Sequence, residues 1–385
     1  MRRRDELDLK ILTYIFRHGS APRPELVAYT GIRAATVFES VDRLKSSGLL
    51  IEPSRRGVKT GRRAPELKCN PDFAGWIGVE LNTRHTLAVR TDNNGCVIDT
   101  AEIPAGSRAG VEDVFAEIFS ALNDLQKRAG NAWIKVCGIG FSDPGTVDLE
   151  KGISLNAVNI PGWNEVDTAA RISKETGLPC CLWSGEMVRA YQEYAARQKN
   201  PPARLVHLRL DNTIGAGFIC DGRIYTGVSG QAMEIGHLSI DPAGPVCRCG
   251  KRGCLEACCS IPAIKEKLKS QGVEIPDDFK MSDLSTLEKK NPAVEAIVHD
   301  LASSVGNALI PVITLLNPDV IILCGETALL KDRLRKPILK ILKENCLSGS
   351  ADHLQITFSG LRHEDTARGA AILMRNRIIL SQVVQ

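Results

Sequence analysis

The sequence predicts an α/β protein, an N-terminal winged helix-turn-helix followed by a two-lobed body. Three observations predict it. Charge is split along the chain: residues 1–70 hold 15 Lys+Arg against 8 Asp+Glu, or +7, and the rest holds 34 against 37, or −3. The basic segment reads as three short helices followed by a hairpin. Beyond it, apolar runs of strand length alternate with helical patterns to the end of the chain. A length of 385 residues with 43% apolar and 24% charged residues allows two or three domains with sizeable cores.

The first helix is expected in "DELDLKILTYIFRHG", where Leu7, Ile11, Tyr14 and Ile15 recur at helical spacing and Gly19 ends the pattern. In "PRPELVAYTG", Pro24 suits a first turn, Leu26 and Val27 face inward and Gly31 closes the helix. The third helix, in "IRAATVFESVDRLKSSGLL", has Val37, Val41 and Leu44 as its apolar stripe. Arg33, Ala35, Thr36, Ser40 and Arg43 are expected to face DNA. The following "LLIEPSRRGVKTGRRAPELKCN" reads as two strands around a basic loop. Such a wing would set Arg55, Arg56, Lys59, Arg62 and Arg63 against phosphates or in a minor groove. An ordinary three-helix cap with a charged loop is the plainer alternative; the helix order and the basic hairpin favour DNA.

The body opens with "WIGVELNTRHTLAVRTDNNG", and "VHLRLDNTIGAGFICDGRIY" repeats its strand-turn-strand-turn pattern, an echo that suits a duplicated, nucleotide-kinase-like fold. Buried strands are expected at "VCGIGF", "LVHLRL", "GAGFIC" and "DVIILCG", and helices over Val111–Lys127, Val166–Thr176 and about Ala293–Leu316. The expected domains are 1–70, 71–200 and 201–385, with a hinge near 198–204 and a C-terminal helix that can return to the first lobe. No signal-peptide pattern and no uninterrupted apolar run of about 18 residues is read in the chain, so a cytoplasmic protein without membrane contact is expected.

Of thirteen cysteines, five fall with a histidine in "GHLSIDPAGPVCRCGKRGCLEACC". His237, Cys247, Cys249 and Cys254 form a Cys₃His set, a recurrent tetrahedral zinc site in which four protein ligands imply a structural role, one ion per chain. Cys258 and Cys259 fall outside the set. A disulfide framework fits a cytoplasmic chain less well, and a chance cluster of unliganded thiols is the remaining alternative.

"MEIGHLSIDPAGPVCRCGKRGCLE" closely resembles the signature of the ROK family of repressors, open reading frames and sugar kinases. "DPGTVD" at 143–148, "NIPGW" at 159–163, "GAGFICDGRIYTG" at 215–227, "LNPDVIILCG" at 316–325 and "RGAAIL" at 368–373 extend the resemblance in the family's order. It implies an actin-like, sugar-kinase-type body. The N-terminal winged helix implies the regulator branch: a homodimer or homotetramer on a double-stranded DNA operator, answering to a sugar or phosphosugar. Kinase members pattern the first phosphate turn as Asp-x-Gly-Gly-Thr, where this chain has Glu80, Leu81, Asn82, Thr83 and Arg84. In the second turn Asp211, Asn212 and Thr213 stand before "IGAG". The family's Glu-Asn-Asp-Ala-Asn stretch, whose aspartate is the general base, aligns with Trp183, Ser184, Gly185, Glu186 and Met187, so Gly185 takes the base's place. Losing such a base is worth about 10² to 10⁴ in rate. Glu186 lies one residue on, roughly 100° around a helix, and is a poor substitute. Glu234, His237 and Glu256 match positions that contact a hexose, and with Trp183 and Ser184 they are the expected effector contacts.

The resemblance thus points to a DNA-binding transcriptional regulator of the repressor type, acting on carbohydrate-related genes, with a catalytically inactive body and a modified sugar or sugar phosphate as effector. An active sugar kinase with a DNA-binding head, and a regulator that no longer senses small molecules, are the alternatives.

Overall fold

A computed structural model describes residues 3–53, 65–197, 201–288 and 291–382. These divide into two compact units. One holds the chain up to Val188 together with the stretch from Arg362 onward, and the other holds Arg189–Arg197 and Pro201–Leu361.

In the first unit the chain begins with α1 (Arg3–His18), β1 (Ser20–Pro22), α2 (Arg23–Thr30), α3 (Ala34–Ser46), β2 (Leu50–Ile51) and β3 (Glu66–Cys69). Gly31, at φ 67, stops α2 in the left-handed conformation and returns its N–H to Val27 O, so only Gly31–Arg33 separate α2 from α3. Antiparallel pairing in the order β1-β3-β2 closes the three helices with a small sheet. Leu7, Ile11, Leu12, Ile15, Ala21, Leu26, Val37, Val41, Leu44, Leu50 and Leu67 are buried as its core. Tyr14, expected inside, is only partly buried; Leu12 takes the inward place because the apolar face of α1 spans Leu7, Ile11, Leu12 and Ile15.

The N-terminal helices and the body sheet that follows them fall in the same compact unit. The Arg375 guanidinium stands 4.2 Å from the Phe16 ring centroid and donates to Asn93 O at 2.8 Å, which joins α1 to the body. The body sheet of this unit comprises β4 (Gly75–Leu81), β5 (His85–Thr91), β6 (Val97–Pro104) and, after α4 (Val111–Ala129), β7 (Val136–Asp143). The small antiparallel sheet β8 (Thr146–Asp148), β9 (Ile153–Asn156) and β10 (Asn164–Val166) follows, then α5 (Thr168–Thr176), β11 (Cys180–Ser184) and α6 (Gly185–Ala195). Strand order is β11-β7-β4-β5-β6, with β4, β5 and β6 a successively antiparallel meander and β7 and β11 parallel to β4.

The second unit has β12 (Arg204–Leu210), β13 (Ile214–Cys220) and β14 (Arg223–Ile224), then α7 (Leu255–Cys259), α8 (Ile261–Ser270), α9 (Leu284–Glu288), α10 (Ala293–Leu316), β15 (Val320–Cys324), α11 (Asp332–Asn345) and β16 (Gln355–Phe358). Its order, β14-β13-β12-β15-β16, again has an antiparallel meander of three strands, β12 to β14, and two strands parallel to the first on its other side. Numbered within each unit, both sheets run 3-2-1-4-5. The echo between the two hairpins is therefore a likeness of whole sheets. By length and composition α10 could cross a membrane, but its apolar face, including Ile297, Leu301, Val305 and Leu309, is buried in the core of this unit.

The last helix, α12 (Asp365–Gln382), belongs to the first unit, and small residues bring it onto the sheet. An ideal Cβ on Gly78 of β4 would stand 1.7 Å from Ala367 O, and one on Gly140 of β7 would stand 2.0 Å from Ala370 O. Backbone meets backbone there, so neither strand position accepts a side chain, and this is the physical content of "RGAAIL". The unit boundary at Val188 and Arg189 falls inside α6; of the expected hinge, residues 198–200 lie outside the described residues.

Candidate metal centre, ligand pocket and nucleic-acid interface

The Cys₃His residues converge in the second unit. Their ligand atoms all lie within 4.8 Å of one another, and the cluster can hold a metal ion. Cys249 Sγ and Cys254 Sγ are 3.6 Å apart, and Cys247 Sγ is 3.7 Å from His237 Nδ1. A tetrahedron with metal–sulfur bonds of about 2.3 Å has edges of about 3.8 Å, and its sulfur–nitrogen edges are slightly shorter, close to these two separations. His237 offers Nδ1, which leaves Nε2 on the far side of the ring. The loop is laced by Cys247 N–H to Lys251 O at 2.7 Å, Gly250 N–H to Cys247 O at 2.9 Å and Gly253 N–H to Pro245 O at 2.9 Å. Gly253, at φ +65, is required twice over, because a Cβ there would lie 1.6 Å from Asp241 O. Burial pushes the Cys254 thiol up to about 12, whereas the Lys251 N–H holds Cys249 below its ordinary value. Metal loading must therefore displace protons from the cage. Cys258 and Cys259 are buried outside it.

Two expected effector residues are tied to this loop. Glu256, on α7, accepts the Ile214 N–H at 2.9 Å, which commits one carboxylate oxygen to the start of β13. Gly236 lets the single turn at Ile235–His237 lie on the same strand, since a Cβ would meet Ile214 O at 2.1 Å. Glu234 precedes that turn and is exposed. Met233 before it has φ 70, an uncommon conformation for a long side chain, so the approach to Glu234 and His237 is held under local strain. Sequence patterning gave no signal for that strain.

In the first unit, Glu80, Ser142 and Trp183 are in register across the carboxyl ends of β4, β7 and β11. Trp183, an expected effector contact, is 8% exposed. Ser184 Oγ accepts the Met187 N–H at 3.4 Å, a cap on α6. The first phosphate turn is closed on itself. Asn82 Oδ1 accepts the N–H groups of Arg84, at 2.8 Å, and of His85, at 3.0 Å, and the Arg108 guanidinium donates to Asn82 O. The N–H groups that a glycine turn would point at a phosphate are taken by a side chain. Nearby, "DPGTVD" and "NIPGW" meet where Trp163 Nε1 donates to Asp143 at 3.1 Å; burial raises the Asp143 carboxyl despite this bond.

On α3, Arg33, Ala35, Thr36 and Arg43 are exposed. Ser40 is not: it is 0% exposed and donates its hydroxyl to Asp8 of α1. It lies three residues beyond Val37 and one before Val41, inside the buried stripe, so its polarity was a poor guide to its direction. Arg43 is 2.8 Å from Asp8 in the same cluster, an ion pair that restrains it at the rim of the outer face. Arg55, Arg56, Lys59, Arg62 and Arg63 lie outside the described residues. Sequence reading missed Phe38, a large apolar side chain on the outer face of α3, because apolar residues on a helix are first assigned inward.

A model of the ROK family matches residues 76–377. The xylose repressor of Caldicellulosiruptor bescii is 24% identical over 379 residues, covering 95% of this chain and 94% of the relative, and the glucokinase of Halalkalibacterium halodurans is 25% identical over 316 residues, covering 78% of this chain and 95% of the relative. A solved ROK family transcriptional regulator, a homologue of the E. coli MLC protein, superposes with a TM-score of 0.83 at 23% identity and covers 99% of both chains.

Proposed function

The chain belongs to the ROK family, and we propose that it is a DNA-binding transcriptional repressor of carbohydrate-related genes whose kinase-like body does not phosphorylate. Coverage carries this reading. The repressor relative spans this chain almost end to end, whereas a nearly complete glucokinase leaves about a fifth of it unmatched. That remainder is the size of the winged helix-turn-helix. In the proposed complex, α3 enters the major groove of an operator with Arg33, Ala35 and Thr36. The basic loop, through Arg55, Arg56, Lys59, Arg62 and Arg63, follows the phosphates or enters a minor groove. The protein acts in the cytoplasm as a homodimer or homotetramer.

The cage holds one structural zinc, with no chemistry of its own. Bound through Nδ1, His237 would have a fixed ring direction and tautomer, and its Nε2 together with Glu234 and Glu256 would meet a sugar-like effector. Glu256 can offer only what its bond to Ile214 leaves. A modified sugar or sugar phosphate is the effector this set favours, with Ser184 as a further contact.

A kinase with a DNA-binding head is the second reading, favoured by the glucokinase likeness. ATP-dependent phosphorylation of glucose and N-acetylglucosamine separates the two. No turnover is expected from the wild type, and Gly185→Asp alone should not create it, because the Asn82 turn remains closed. Wild-type turnover of about 1 per second or faster would overturn the inactive-body reading.

A further inference from the structure

On α3 the buried residues are Val37, Ser40, Val41 and Leu44. Ala35, Phe38, Glu39 and Asp42 repeat the same spacing two residues earlier or later, about 200° around the axis, and all four are exposed. This is the face that a recognition helix turns to base edges. In the middle of it stands Phe38, 37% exposed, a side chain that can neither donate nor accept a hydrogen bond. A single exposed apolar residue is ordinary on a protein surface. This one, however, is held in place. The Arg23 guanidinium lies 5.3 Å from its ring centroid and is itself fixed by Asp42 at 2.7 Å and Glu52 at 3.6 Å. The ring therefore has a backstop on the protein side and an open edge outward, with the small Ala35 one turn before it. Arg23 is drawn into this support, which leaves Arg33 as the cation at the start of the helix.

The apolar group that the major groove displays is the C5 methyl of thymine, and a phenyl ring is among the side chains that read it. We infer that Phe38 is a specificity-determining residue that contacts one thymine methyl in each half-site, with Arg23 as its positioning residue. This rests on the DNA-binding reading above and adds to it a base identity. Glu39, beside Phe38 on the same stripe, can accept from a cytosine amino group, so the reading is of a pyrimidine-bearing step rather than of guanine alone.

The test uses the full-length protein and duplex DNA selected from a random pool. Each thymine of the selected site is replaced in turn by uracil, which removes only the methyl. For the wild type, one position per half-site should weaken binding by about fourfold on replacement, the value of one buried methyl. Phe38→Ala should bind the thymine and uracil duplexes equally, Phe38→Leu should keep part of the discrimination, and Arg23→Ala should reduce it while sparing affinity for the uracil duplex. Equal wild-type affinity for thymine and uracil at every position would overturn the inference, as would full discrimination retained by Phe38→Ala. If no sequence is enriched at all, the DNA-binding reading fails and this inference falls with it; enrichment without methyl sensitivity refutes the role of Phe38 alone.

Discussion

Cys254→Ser should strip the chain of its metal and lower its thermal stability by more than any surface substitution. Metal analysis of the wild type should give about one zinc per chain. Structural zinc sites in finger peptides are worth about 10–16 kcal/mol of apparent binding free energy at neutral pH, far more than the few backbone hydrogen bonds that lace the Gly244–Cys254 loop. Cys254 is fully buried, 3.6 Å from Cys249, and its backbone pairs with Ser239, so losing the ion would leave three polar ligands facing a hole. Because burial pushes the metal-free Cys254 thiol up to about 12, protons compete with the ion, and zinc should be released more readily as pH falls. Cys258→Ser, outside the cage, should leave the zinc content unchanged. Full zinc occupancy and unchanged stability in Cys254→Ser would refute the assignment.

The second large effect is expected far from any ligand. Gly140→Ala adds one carbon, yet it would bring that carbon to 2.0 Å from Ala370 O and 2.5 Å from Ala370 C, so α12 must lift from β7. Overpacking of this kind costs about 3 kcal/mol or more when backbone rather than a flexible side chain is struck. For a unit of this size that corresponds to a fall of about 6–12 °C in its melting transition. Gly106→Ala, whose added carbon would sit at an ordinary 3.7 Å from Glu117, is the control and should change the transition little. Equal melting of the two variants would show that α12 does not rest on the sheet as described.

These two predictions also mark what a sequence can disclose. The Cys₃His spacing is local: Cys247, Cys249 and Cys254 lie within eight positions, and glycines allow the tight turns, so the cage was legible. So were the two strand-turn-strand echoes, because each hairpin is contiguous. The helix-sheet contact was not, since Gly78, Gly140 and Ala370 are distant in the chain and only their backbone closeness gives them meaning. Ser40 was misplaced because polarity was weighed above its position between Val37 and Leu44. The closure of the Asn82 turn was half legible. Its lack of glycine was plain, but the two N–H bonds that occupy Asn82 Oδ1 appear only in three dimensions.

The most direct test of the central claim is selection of duplex DNA from a random pool by the full-length protein, followed by measured affinity for the enriched sequence at two salt concentrations. The account predicts enrichment of a site with two related half-sites. It also predicts affinity that falls steeply with salt, with a slope that Lys59→Ala lowers by about one. Absence of any enriched sequence, with salt-insensitive or undetectable binding, would contradict it.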